Sequence, residues 1–118
     1  MIRINSLNTL LQYMQKSELS VEWRVTSDIG PDWIGSTREI YFYLGSEKLD
    51  ETEFHDQLKS ALIKVANIPP SSEKHVIDGE GDVTIEDGFL KIKFWWSKAI
   101  PYQHSDESGS GEGVLFKI

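Results

Sequence analysis

Apolar and polar side chains alternate on both sides of Asp87-Gly88, from Val83 to Glu86 and again from Leu90 to Phe94. Asp-Gly tolerates the two positive φ angles of a type I′ turn, which joins antiparallel strands without splaying them, so this stretch predicts a β-hairpin over residues 78–96. The turn sets the register: Glu86 faces Phe89, Ile85 faces Leu90, Thr84 faces Lys91, Val83 faces Ile92, Asp82 faces Lys93, Gly81 faces Phe94 and Glu80 faces Trp95. Val83, Ile85, Leu90, Ile92, Phe94 and Trp96 then share one face, and Glu80, Asp82, Thr84, Lys91, Lys93 and Trp95 the other. A slip of one residue would bury both lysines, so the register is strongly specified.

The remaining chain reads in the same way. Ile4, Leu7, Leu10, Leu11 and Met14 recur at intervals of three and four and predict a short helix over 5–16, capped by Asn5 or Ser6. Leu19, Val21, Trp23 and Val25 alternate with Ser20, Glu22, Arg24 and Thr26 as in a half-buried strand. Ser27 to Thr37 contains Gly30-Pro31 and Gly35 and reads as a loop, after which Arg38–Leu44 alternates as a second strand. A helix over 51–66 is predicted from the stripe Phe54, Leu58, Ala61, Leu62 and Val65, with Asp50 as its cap, Glu53 completing a capping box, and Asn67 before Ile68-Pro69-Pro70 ending it. Ser71–Lys74 reads as a linker. Gly79 and Gly81 interrupt the incoming strand of the hairpin, which points to a bulge or to the close approach of another chain segment. Ser97–Gly113 reads as a loop whose Ser/Gly-rich part, residues 103–113, is acidic and flexible, and Val114–Ile118 as a final strand with Val114, Phe116 and Ile118 on one face. The order α-β-β-α-β-β-β predicts an α+β fold for residues 1–118 as one domain: a single, mostly antiparallel sheet of about five strands with two helices packed on it. Helices on one face leave Tyr41, Tyr43, Glu22, Arg24, Lys91, Lys93 and Trp95 on the other.

Charge and composition narrow the functional classes. The 118 residues carry a net charge of −7, with five acids and one lysine from Glu47 to Asp56 and six acids and one lysine from Glu73 to Asp87. Phosphate-backbone affinity rests on lysine and arginine displacing counterions, so direct nucleic-acid binding is excluded as an expectation, whereas a basic protein partner suits this charge. The absence of cysteine rules out disulfides, thiolate nucleophiles and cysteine zinc sites. The first residues form no apolar signal-peptide core and no stretch has the length of a membrane span, so a cytoplasmic protein without membrane attachment is expected.

No constellation of catalytic residues emerges. Asp78, Glu80 and Asp82 alternate with glycine like the opening of a calcium loop, but an EF-hand begun at Asp78 needs glycine sixth and glutamate twelfth, where this chain has Val83 and Phe89. His55, His75 and His104 lack metal-site spacing, and His55 reads as a boundary residue satisfied by hydrogen bonds. Gly109, Gly111 and Gly113 are followed by no lysine at phosphate-loop spacing and stand among acids. The expectation is therefore a protein with no cofactor, no metal and no enzymatic activity.

A small, acidic, cysteine-free α+β domain with outward aromatics resembles in general type the bacterial immunity proteins and antitoxins. That likeness implies a non-enzymatic protein-binding domain that occludes a basic toxin domain, such as a nuclease, by charge complementarity. The residues assigned to partner binding are Asp78, Glu80, Asp82, Asp106, Glu107 and Glu112, whose carboxylates steer association, and Trp95 as apolar anchor. The alternatives are a small enzyme or ligand-binding domain, with a site between the open sheet face and the loops at 27–37 and 97–113 using His55 or His104, and a homo-oligomeric structural subunit pairing through Val114–Ile118.

Overall fold

A computed structural model describes residues 2–29, 34–69, 76–99 and 107–118. The elements in chain order are α1 (Leu7–Met14), β1 (Leu19–Ile29), β2 (Ile34–Leu44), β3 (Glu47–Lys48), α2 (Glu53–Ala66), β4 (Val76–Glu86), β5 (Phe89–Ala99) and β6 (Glu107–Lys117). The strands form one antiparallel sheet in the order β3-β2-β1-β4-β5-β6, with the helices as the second layer of an α+β fold. The sixth strand beyond the expected five is the two-residue β3, which folds back on β2 after a turn with Gly45 at φ 61°. Among the described residues no helix is long and apolar enough to cross a membrane.

The β4–β5 hairpin has the register read from its turn, from Glu86 opposite Phe89 through Glu80 opposite Trp95 and onward to Val76 opposite Ala99. Asp87 and Gly88 both take positive φ, at 53° and 78°. On the inner face Val83, Leu90, Ile92 and Phe94 are buried, while Ile85, close to the turn, stays exposed. The β1–β2 hairpin is longer than its side-chain pattern suggested. Pairing continues from Leu19 opposite Leu44 to Ile29 opposite Ile34, so much of the stretch read as a loop from Ser27 to Thr37 is strand. Ladder hydrogen bonds join backbone groups and persist through Thr26–Thr37 and Ser27–Ser36 although these side chains carry no apolar alternation. Residues 30–33, including Trp33, lie outside the described residues, as does the linker at 71–74.

Both helices are capped by hydroxyls. The Ser6 side chain accepts from the Thr9 amide, as the reading allowed. At α2 the cap is Thr52 rather than Asp50: its hydroxyl accepts from the His55 amide at 3.2 Å and donates to the Ile4 carbonyl at 2.7 Å, tying the N-terminal segment to the helix. Asp50 is held two residues upstream because its amide donates to the Ile2 carbonyl beside the parallel bridge of Ile2 with Leu49. Asn67 ends the helix in the left-handed conformation, φ 54°.

The main departure from expectation is at 107–113, read as part of a flexible loop and found as the first seven residues of β6. Ser-Gly alternation gives a strand with glycine on one face only. Gly109, Gly111 and Gly113 turn inward, opposite Trp96, Phe94 and Ile92, and a Cβ at each would stand 2.7 Å from the Trp96 ring, 2.7 Å from the Phe94 ring and 2.5 Å from Val65 of α2. Gly79 has the same role on β4, where a Cβ would lie 2.0 Å from the Trp23 ring. Of the two glycines read as a bulge or close approach in the hairpin, Gly79 is thus a floor beneath an aromatic ring, whereas a Cβ at Gly81 would stand 2.8 Å from the Lys93 carbonyl oxygen; Trp23 and Phe94 meet edge to face with centroids 6.1 Å apart. The bulge in the sheet lies elsewhere, on β6 opposite Leu90 and Lys91. It inserts Leu115 as an extra residue that is buried, leaves Val114 exposed and so breaks the predicted alternation of Val114 with Phe116 and Ile118.

Gly79→Ala should destabilise the protein by about 1–3 kcal/mol, the usual range for overpacking, because the added Cβ would overlap the buried Trp23 ring and force it to shift. Urea denaturation of Gly79→Ala beside Ser110→Ala, an exposed change in β6, tests this; equal midpoints would mean that no ring occupies the space above Gly79.

Candidate interaction surface

One face of the sheet carries the helices and the core, and the other is built from the outward set of five strands. The ladders align these residues into rows. The central row is Tyr41–Glu22–Glu80–Trp95–Ser110, flanked by Glu39–Arg24–Asp78–Ser97–Ser108 on one side and Tyr43–Ser20–Asp82–Lys93–Glu112 on the other. A groove of about 900 Å³ crosses this face, with Glu22, Arg24, Tyr41, Glu80, Trp95 and Ser110 in its lining.

In the central row two glutamates stand directly opposite each other between two aromatic residues. Like charges in register repel. They are held by neutral donors: the Tyr43 hydroxyl donates to Glu22 at 2.8 Å and the Trp95 indole N–H donates to Glu80 at 2.6 Å. Among the described residues neither glutamate has a salt bridge. The one guanidinium nearby is committed to Asp78, which accepts from Arg24 Nε at 2.7 Å. That bond, and then the attraction of Asp78, Glu39 and Glu22, raises the Arg24 pKa still further, so Arg24 stays charged. The bond to Glu22, with burial and the carboxylate's charge, likewise raises the Tyr43 pKa and keeps its hydroxyl a donor. Four carboxylates, of Glu22, Glu39, Asp78 and Glu80, therefore surround one cation, and the surplus negative charge lies where the rings are. At the β3 edge the Lys48 ammonium sits 3.6 Å over the Tyr41 ring, so this face already places one cation on an aromatic surface.

Of the residues assigned from sequence, Asp78, Glu80, Asp82, Trp95 and Glu112 all fall on this face. Asp82 and Glu112 flank Lys93 in their row, and Trp95 is 43 % exposed. Glu107, opposite Lys98 in β6, belongs by alternation to the helix-bearing side and is not part of the patch, while Asp106 lies outside the described residues. Glu22 and Glu39 were not assigned, although their carboxylates complete the acidic centre; their place depends on β1 pairing with β4, for which no local pattern exists.

His55 lies on the other side of the sheet, 1 % exposed in the first turn of α2, with the Phe42 ring edge-on at 5.7 Å. It cannot serve a site on the open face, and the hydrogen bonds expected of it are missing, since both ring nitrogens are buried without partners among the described residues. His75 and His104 lie outside the described residues. Among the described residues no three His, Asp or Glu side chains converge as metal ligands. The fold and the surface define a small α+β protein with an acidic, aromatic sheet face. No protein-family model matches the chain, and comparison with curated proteins and with solved structures finds no significant similarity.

Burial lowers the His55 pKa, helped by Lys59 and Lys48 and opposed by Glu51 and Asp56. The unfolded chain titrates near 6.5 and the folded imidazole lower, so the stability held in neutral His55 is fully present above about pH 6.5 and is lost as pH falls through the folded value. Thermal melts across this range should show His55→Phe losing less stability on acidification than the parent. Identical pH slopes would show that His55 does not titrate differently on folding.

Proposed function

We propose that this protein is a non-enzymatic protein-binding domain of the immunity-protein and antitoxin type, which neutralises a basic toxin domain, such as a nuclease, by covering its cationic surface with the outer sheet face. The row Tyr41–Glu22–Glu80–Trp95 carries this reading. Its two carboxylates are oriented by an O–H and an N–H donor and form no salt bridge among the described residues. A lysine or arginine from a partner would supply the missing charge, form charge-assisted hydrogen bonds with both glutamates and lie against ring surface. Trp95 adds exposed apolar area in the same row, the kind of residue that anchors interfaces.

Net charge acts at longer range. A chain at −7 attracts a basic partner before contact, which accelerates encounter and repels acidic competitors. The reading assigns the protein to the cytoplasm, in keeping with a chain that has no cysteine for disulfides.

The test is kinetic, with a basic protein that copurifies with this chain as the binding partner. Association should slow markedly as salt is raised, and Glu22→Gln with Glu80→Gln should reduce both the rate and its salt dependence. Trp95→Ala should weaken binding by about 2 kcal/mol, mainly through faster dissociation. An on-rate indifferent to salt, or unchanged affinity in Trp95→Ala, would remove the basis for this reading.

A further inference from the structure

The sheet has two edges of different character. At one, β3 is two residues long; at the other, β6 runs for eleven and, among the described residues, pairs on one side only. An exposed long strand presents free backbone donors and acceptors to another strand, and proteins blunt such edges with bulky charges, proline or bulges. The bulge in β6 lies at its far end, at Leu115, and residues 107–113 are Glu-Ser-Gly-Ser-Gly-Glu-Gly, with little side-chain bulk to keep a second backbone away.

We infer that β6 is a homodimerisation edge, at which a second copy pairs antiparallel across a two-fold axis through Gly111. The register follows from faces and charge. Residues opposite each other in an antiparallel ladder share a face, so a continuous sheet requires the two residue numbers of each pair to have the same parity. Centring the axis on Glu112 would set that carboxylate against its own copy. Centring it on Gly111 is the longest pairing that avoids this contact and stops at the bulge: Glu107 meets Leu115, Ser108 meets Val114, Gly109 meets Gly113 and Ser110 meets Glu112 of the second copy. On the inner face glycines meet at the centre and Glu107 meets Leu115 at either end, and on the outer face a serine hydroxyl faces each Glu112. Glu107 of the second copy falls beside the groove between α2 and β6, which is lined by Ala61, Val65, Leu115 and Phe116 and carries both Lys64 and Asp56. The pairing covers part of the apolar surface at that edge, including Val114. Both outer faces then lie on the same side of one continuous sheet, so the dimer would present the acidic rows twice.

Sedimentation velocity of the full chain alone, from micromolar to near-millimolar concentration, tests the edge independently of any binding partner. The parent should shift from monomer to dimer as concentration rises. Ser110→Glu, at an exposed position, sets two pairs of like charges opposite each other and should weaken dimerisation about tenfold or more. Ser110→Glu combined with Glu112→Lys should restore it, because each repulsive pair becomes attractive. Circular dichroism and urea midpoints establish that both variants are folded, and Ser108→Pro, at an exposed position of the edge, offers a second disruption if Ser110→Glu proves unstable. A parent that is monomeric throughout, a Ser110→Glu variant that dimerises like the parent, or a double variant that is not restored would each overturn the inference.

Discussion

Everything in this protein hangs on the ladder between β1 and β4. Each strand has a hairpin partner close in sequence, but only this ladder, which joins residues more than fifty positions apart, makes one sheet of two hairpins. It has consequences on both faces. On the inner face Trp23 stands opposite Gly79 and lies over it, filling space that any side chain on β4 would take. On the outer face, one residue along each strand, Glu22 stands opposite Glu80. The pairing that packs a ring onto a glycine inside is the pairing that brings two carboxylates together outside.

The two faces are stabilised by different means. Inside, Trp23, Phe94 and Trp96 cross neighbouring strands where glycine leaves room, so apolar area is buried without raising the sheet's thickness. Outside, the bonds are polar, exposed and individually weak: Arg24 with Asp78, Tyr43 with Glu22 and Trp95 with Glu80. They contribute little to folding and much to the orientation of the acids. A surface that keeps like charges in register, ordered and among the described residues not neutralised, is costly to the free protein, and the proposed function would recover that cost when a partner's cation binds.

His55 shows the opposite situation. Its imidazole is buried at the start of α2 with no hydrogen-bond partner among the described residues, so the neutral ring behaves as a flat, slightly polar filler against Phe42. Helical spacing placed it beside the apolar stripe, and boundary histidines are commonly hydrogen-bonded. Whether a partner is present depends on which groups the sheet brings beneath the helix, and here the sheet brings a phenyl ring.

The pairing of β4 with β5 was legible residue by residue, because a two-residue turn fixes the register and the period of two fixes the faces. The positions of both helices and the left-handed stop at Asn67 were legible for the same reason: each depends on residues within a few positions of one another. The cap of α2 was misplaced because Asp50 and Thr52 are both good caps locally, and the Ile4 carbonyl and the Ile2 bridge, remote in sequence, decide between them. The Ser-Gly run was misread because glycine composition signals flexibility until the rings that cover it are known. The patch was half visible: Asp78, Glu80, Asp82 and Trp95 belong to one hairpin and alternation turned Glu22, Tyr41 and Tyr43 to the same open face, whereas only the ladder of β1 with β4 sets Glu22 opposite Glu80 and Arg24 opposite Asp78. By itself the sequence determined both helices and the register of the β4–β5 hairpin, which near neighbours set, and, through composition, the sign of the net charge. Tertiary structure alone decided which acids face each other and which glycines lie beneath rings, because those depend on contacts between segments that carry no local record of one another.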